Sequence, residues 1–348
     1  MVQAPIPLDL LPWAMASLPS SPGSEASCDT FAMVAGDASS RRYFRLETSR
    51  GSYVVAQAPP DTEKNEAFVA VGELLAMACI AVPDVLAVDY ERGYLLLQDL
   101  GDRTLLPELN ANTVDGYYAQ AFELLSKMAV LDISKLDLPD YNAALLTQEL
   151  ERFPVWFAQA LLGLSLSAQE QSLLSRFNRL LLDSALEQPQ VLVHRDFHSR
   201  NMMLLAEGEM ALIDFQDAVV GPITYDLVSL LRDCYVRWPG EQVQGWALTC
   251  RAQLCAQGHW VGDDESQFVR WFDWMGLQRH IKVLGTFARL HLRDGKPSYL
   301  DDLPLVIAYV EEVLEKYAPQ QPVFAEFKDW FENTISPRVA QQSWGGKI

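Results

Sequence analysis

The run Val191 to Asn201, V-L-V-H-R-D-F-H-S-R-N, sets His194, Arg195 and Asp196 at the end of an apolar strand-like stretch, then four residues and Asn201. Further on, the apolar run Met210 to Ile213 delivers a second carboxylate, Asp214, followed by Phe215. Phosphoryl transfer asks a protein for a carboxylate beside the attacking hydroxyl, oxygen ligands for magnesium, and a cradle for the phosphates. Asp196 suits the first need. Asn201 and Asp214 suit the second, because Mg2+ takes few hard oxygen ligands from protein and the rest from water and phosphate. Both aspartates would also serve as turn caps after strands. Their order and their separation from Asn201 favour the catalytic arrangement.

Elements of two kinds must hold such a site. Up to residue 98 strand signals dominate, at Thr30 to Val34, Tyr43 to Glu47, Ser52 to Gln57, Val85 to Asp89 and Tyr94 to Gln98, with turn residues between them. One helix, Glu63 to Met77, interrupts them, with Phe68, Val71, Leu74 and Leu75 at the helical period. From residue 99 onward helical patterns take over: Thr113 to Leu131, Thr147 to Leu162, Ser167 to Glu187, Tyr225 to Arg237, Gln242 to Gln257, Asp264 to Leu292 and Asp302 to Tyr317. Ser167 with Glu170 reads as a capping box. The strands of this half are those that carry Asp196 and Asp214, and Gln320 to Ile348 reads as a final helix with a frayed tail. The expectation is an α+β fold of two lobes, residues 1–98 binding nucleotide and residues 99–348 carrying catalysis and substrate.

A length of 348 residues agrees with two lobes, and an apolar share of 49% with a charged share of 21% is globular. No apolar run approaches the ~20 residues of a membrane helix. Met1 to Leu18 lacks a basic start and is interrupted by Pro5, Pro7 and Pro12, so it reads as a docking segment rather than a signal peptide. Five cysteines without CxxC spacing fit reduced thiols in the cytoplasm and speak against a zinc site. A net charge of −19 makes nucleic acid a poor partner. An anionic nucleotide therefore needs local positive charge, and Arg41, Arg42, Arg45 and Arg50 provide it.

The segment after Asp214 runs through Gly221-Pro222-Ile223-Thr224-Tyr225-Asp226-Leu227, with neither Asp-Phe-Gly nor Ala-Pro-Glu. With the two aspartates this resembles the aminoglycoside phosphotransferase and choline kinase superfamily over roughly residues 30–300. The strings Gly36-Asp37-Ala38-Ser39-Ser40-Arg41-Arg42-Tyr43-Phe44-Arg45, Ala58-Pro59-Pro60, Gln98-Asp99-Leu100-Gly101 and Tyr225 to Tyr235 are more narrowly similar to the bacterial anomeric sugar kinases. That resemblance implies a small-molecule kinase of the bilobal protein-kinase-like fold. It would use ATP as co-substrate and Mg2+ as cofactor to phosphorylate the C1 hydroxyl of N-acetylmuramate or N-acetylglucosamine, giving an α-1-phosphate in cell-wall recycling. A monomer or weak dimer is expected, with no membrane partner.

Under the resemblance Asp196 accepts the hydroxyl proton or orients the nucleophile, and Asn201 and Asp214 hold magnesium. His194 supports the loop, and Asp226 either caps its helix or ties the loop down. The loop Gly36 to Arg42 would meet phosphate through backbone N–H groups and through Ser39, Ser40, Arg41 and Arg42. Gln98 to Leu100 would form a hinge that reads the adenine edge. One departure stands out: Tyr53-Val54-Val55-Ala56-Gln57 has no lysine where kinases place one in the third strand. Lys64, Arg41 or Arg42 is the candidate replacement. For the acceptor, His198 and Arg200 lie inside the catalytic loop, and Ser229, Arg232 and Asp233 follow Asp226 along its helix. Arg232 would meet a lactyl carboxylate or else pair with Asp233 or Glu241. Two other readings remain at this stage, an aminoglycoside or other small-alcohol phosphotransferase, and a nucleotide-binding regulator without catalysis.

Overall fold

A computed structural model describes residues 5–19, 26–36 and 40–346. The chain divides into two compact units, Met1–Leu105 with Arg200–Asp217, and Leu106–Ser199 with Ala218–Ile348. The segment carrying Asn201 and Asp214 thus clusters with the strand-rich unit, although it directly follows the loop that carries Asp196 in sequence.

In the first unit, helix α1 (Leu10–Ala16) precedes an antiparallel sheet of β1 (Cys28–Gly36), β2 (Arg42–Thr48), β3 (Gly51–Gln57), β4 (Val85–Asp89) and β5 (Tyr94–Gln98), with helix α2 (Asn65–Met77) between β3 and β4. The spatial order is β1-β2-β3-β5-β4. Alternation along the strands divides the faces. Phe44, Leu46, Val55 and Leu96 are fully buried on one face, where Leu10, Ala14 and Leu18 of the N-terminal segment cover them. Tyr43, Arg45, Val54 and Leu97 point the other way and line a cleft. The docking segment expected from sequence is therefore a helix. Pro12 does not prevent it, because a proline in the first turn gives up an N–H that has no intrahelical acceptor. Asp9 fixes its start, accepting from the Tyr94 hydroxyl at 3.0 Å and from Arg92 at 3.3 Å, and Trp13 packs against Tyr94 at 5.6 Å.

The same unit holds the hairpin Met202–Leu204 with Met210–Leu212. Leu212 N–H donates to the Ala81 carbonyl at 2.9 Å, and Leu105 N–H donates to the Met202 carbonyl at 2.8 Å. Just after the hairpin, Phe215 is fully buried and stacks on Phe68 of α2 at 4.7 Å. These contacts hold the Asp214 segment in place.

The second unit is helical: α3 (Val114–Ala129), α4 (Ala143–Leu150), α5 (Ala168–Leu186), α6 (Tyr225–Leu231), α7 (Gly240–Ala256), α8 (Glu265–Leu292), α9 (Leu303–Tyr317), α10 (Pro322–Trp330) and α11 (Ser336–Val339). The antiparallel pair Gln190–Val193 and Val219–Pro222 leads into and out of the loop segment. The Ser167 and Glu170 capping box forms as expected. Helix α8 is buried almost all round from Phe268 to Leu290, as befits a central helix. Gly285 allows its close approach, since a Cβ there would lie 2.3 Å from the Arg152 carbonyl carbon.

Three expectations change. The helix read over Thr147 to Leu162 is α4 followed by a π-helical stretch, Phe153–Leu161. Pro154 explains the break, since it offers no N–H to the Leu150 carbonyl and crowds it. The helix read over Tyr225 to Arg237 stops at Leu231, because Asp233 turns its carboxylate to the N–H groups of Ser199 and Tyr235. The C-terminal tail is packed: Phe327 stacks on Phe177 at 3.8 Å, and Trp344 is buried near Phe157. Among the described residues no helix is long and apolar enough to cross a membrane.

Candidate active site

The second unit builds the loop at 194–199 from below. Leu192 and Val193 are buried, and the chain then turns sharply at Arg195, whose φ of 75° is left-handed. A non-glycine residue pays for that conformation and needs its surroundings to hold it. Asp226 does so with both oxygens, accepting from His194 N–H at 2.6 Å and from Arg195 N–H at 3.0 Å. Of the two roles open for Asp226, loop tether is the one it fills; it makes no helix-capping bond. Burial pushes its carboxyl up to about 6, against the pull of His194, the two backbone N–H groups and Arg279. His194 is buried, with Nδ1 accepting from Asp196 N–H at 3.3 Å, a supporting position. Beyond the loop, Ser199 donates from N–H and Oγ to Asp233 at 3.0 and 2.5 Å.

Beneath Arg195 lies a network that sequence patterns did not single out. Glu149 of α4, fully buried, accepts from Arg195 and from the Tyr141 hydroxyl, and Lys282 Nζ lies 3.1 Å away. Lys282 also donates to the Tyr225 hydroxyl at 2.9 Å. Burial alone would raise the Glu149 carboxyl, but Lys282, Arg195, the Tyr141 hydroxyl and Arg152 hold it down to about 2. The same cations act on Asp196. Desolvation opposes its charge, yet Lys282, His198, Arg279 and Arg195 together keep it below the usual carboxylate range. A chain of net charge −19 thus surrounds its candidate catalytic carboxylate with positive charge. Charged residues at 279 and 282 inside a helix otherwise buried all round were the only sequence signal for this, and nothing marked Glu149.

The residues proposed from sequence for the acceptor are largely engaged in the fold. Ser229 is buried and accepts from Arg279 Nε at 2.6 Å. Arg232 meets neither Asp233 nor Glu241 but Asp273 at 2.5 Å, where Lys316 and Tyr317 also converge. Asp233 holds Ser199, and His198 sets its ring edge-on to Tyr235 at 5.5 Å.

Within the first unit, a cleft of about 350 Å³ is lined by Tyr43, Arg45, Val54, Phe68, Leu97 to Asp102, Arg200, Asn201 and Asp214, among others. Asn201 Nδ2 lies 3.4 Å from Asp214 Oδ2, so a cation beside Asp214 meets a carboxamide and a carboxylate together, the donor set that suits Mg2+. Asp214, like Arg195, has a left-handed backbone, with φ 68°, and Gln216 Nε2 donates to its Oδ1 at 2.8 Å. At the other end, Arg45 grips Asp99 with two hydrogen bonds of 2.7 and 3.0 Å and Asp102 with a third of 2.8 Å. Burial would raise the Asp99 carboxyl, but Arg45, the Ser52 hydroxyl and the Gly101 N–H lower it. This fixes the segment Gln98 to Asp102, whose Gln98 and Leu100 were expected to read a base. Ser40 N–H donates to Glu63 at 3.0 Å, and Ser39 lies outside the described residues. Arg42 is not brought to the cleft: it donates to Gln57 at 2.7 Å and to the Pro5 carbonyl, over the Phe44 ring on the α1 face.

Comparison with known proteins follows the same lines. The model of the phosphotransferase enzyme family matches residues 30–262. A protein of Pseudomonas putida named N-acetylmuramate/N-acetylglucosamine kinase is 44% identical over 290 residues, covering 83% of this chain and 85% of that protein. A Pseudomonas aeruginosa protein of the same name is 42% identical over 284 residues, covering 80% and 82%. Among solved structures, an ADP-bound aminoglycoside phosphotransferase superposes with a TM-score of 0.58 at 13% identity, covering 88% of this chain and 99% of that one. This last likeness concerns the fold.

Proposed function

This chain belongs to the phosphotransferase enzyme family, and we propose that it transfers the γ-phosphoryl group of ATP to the anomeric hydroxyl of N-acetylmuramate or N-acetylglucosamine. The product is the sugar α-1-phosphate, and the setting is cell-wall recycling in the cytoplasm. The observation that carries the reading is the loop that presents Asp196, turned sharply at Arg195 and tethered through two N–H groups to Asp226, in a chain more than 40% identical to two kinases of that name.

In this mechanism the C1 hydroxyl oxygen forms a bond to the γ-phosphorus as the bond from that phosphorus to the bridging oxygen breaks, and ADP leaves. The hydroxyl proton passes to Asp196 or to the transferred phosphoryl group. A carboxylate held below its ordinary range is a weak base, so Asp196 acts mainly by accepting the hydroxyl's hydrogen bond and aiming its oxygen. Asn201 and Asp214 would hold the magnesium, which neutralises phosphate charge when bound. The backbone of Gln98 to Leu100 reads the adenine edge, held in shape by Arg45 and Asp99.

The test is incubation with ATP and Mg2+ and a panel of N-acetylmuramate, N-acetylglucosamine, kanamycin and choline, with products read by 31P NMR. An anomeric phosphate from the two amino sugars is expected, and its absence with turnover of kanamycin or choline would overturn the substrate assignment. Asp196→Asn should lower turnover by about 10²-fold or more with ADP affinity unchanged. Undiminished turnover in that variant would remove Asp196 from the chemistry.

A further inference from the structure

The third strand presents no cation. Ala56, paired with Tyr43 across the sheet, is buried, and Gln57 is engaged by Arg42. Of the three candidate replacements, Arg42 faces the α1 side, and Lys64 pairs with Asp217 in an ion pair where both side chains are largely exposed. Arg41 differs from both. It is 2% exposed, one residue ahead of β2, and its neighbours include residues that line the cleft. Its guanidinium lies over Phe68, another cleft residue, at 5.0 Å, and its Nη1 reaches the Tyr43 hydroxyl at 3.5 Å. Nη1 also donates to Gln216 Oε1 at 3.2 Å, while Gln216 Nε2 donates to Asp214, so one side chain separates Arg41 from the candidate magnesium ligand. On its other side, Arg41 Nε sits 3.7 Å from Glu63, whose other oxygen accepts from Ser40 N–H.

Resting on the phosphotransferase reading above, we infer that Arg41 is the cation that meets the nucleotide phosphates in this chain, with Glu63 as its carboxylate partner. Arg41 does the work of the strand lysine of other kinases from a different place in the sequence, and Glu63 offsets part of its charge. A buried charge is costly and persists where it is paired or used. Its field is also stronger in a poorly screened site than at the surface. The cation is thereby moved from the third strand to the residue just ahead of β2, next to Phe68 and Tyr43 of the cleft.

The test compares calorimetric binding of ADP and adenosine to the full-length protein. Arg41→Met keeps the apolar stem on Phe68 and should weaken ADP by about 10- to 100-fold, the loss of charge-assisted hydrogen bonds, with adenosine within twofold of wild type. Arg41→Lys should restore most of the ADP affinity. Glu63→Gln, which keeps an acceptor for Ser40 but removes the negative charge, should raise the ratio of ADP to adenosine affinity, and it supplies the reading if Arg41→Met does not fold. An unchanged ratio in Arg41→Met, or an unchanged or lower one in Glu63→Gln, overturns the inference while leaving the kinase reading intact. Wild-type protein that binds neither ligand overturns the kinase reading and this inference with it.

Discussion

Replacing Glu149 with glutamine removes one buried negative charge from beneath the loop that carries Asp196. The carboxyl sits at about 2 rather than its ordinary 4.5, a gap worth about 3 kcal/mol at ~1.4 kcal/mol per pH unit. The same scale follows from leaving Arg195 and Lys282 buried without their shared carboxylate, since breaking a buried pair costs ~3–5 kcal/mol. The sign is that of a depressed acid. Its stabilisation is present above pH 4.5 and is lost as pH falls toward 2. Urea unfolding followed by tryptophan fluorescence reads the effect, because eight of the nine tryptophans lie in the unit that contains Glu149. Glu149→Gln should lose about 3 kcal/mol at pH 7 and show a flatter acid dependence between pH 4.5 and 2. Because Arg195 holds a left-handed backbone, its release should also slow turnover about tenfold, of the order of one strained residue's energy, with ADP affinity unchanged. A stability loss below about 1 kcal/mol, together with wild-type turnover, would refute the view that Glu149 holds the loop.

Asp226 titrates in the opposite sense. Its carboxyl is raised to about 6, so folding favours its protonated form, and the stabilisation it contributes is full below pH 3.8 and lost as pH rises through 6. Its charged form is the acceptor for His194 and Arg195 N–H, so turnover should fall as pH drops below 6, and Asp226→Asn should be slow and lack that acid limb in a pH–rate profile. Arg45→Met, by releasing Asp99, should weaken adenosine and ADP equally, by about tenfold, in calorimetry. This separates base recognition from the phosphate effect expected at Arg41.

The local signals in the chain were enough to nominate a candidate site, because a carboxylate, a carboxamide and a second carboxylate after two apolar strands leave few alternatives, and period-2 and period-3.6 patterns are written residue by residue. The five strands of the sheet and the capping box at Ser167 were legible for that reason. Helix α1 was obscured by Pro12, and the π-helical stretch Phe153–Leu161 turns on Pro154, a local signal that the apolar period over Thr147 to Leu162 masked. Glu149, Arg279 and Lys282 were invisible as a group, since Glu149 lies more than a hundred residues from the other two and only the folded core gathers them around Arg195 and Asp196. The same holds for Arg41. Sequence offered three cations for the missing lysine, and burial, the Phe68 contact and the chain of bonds through Gln216 to Asp214 favour one of them. What the sequence by itself determined was the family and the set of candidate reacting groups. Which charges surround them was decided by tertiary structure, because electrostatic strength depends on distance and desolvation, and both are properties of the packed chain.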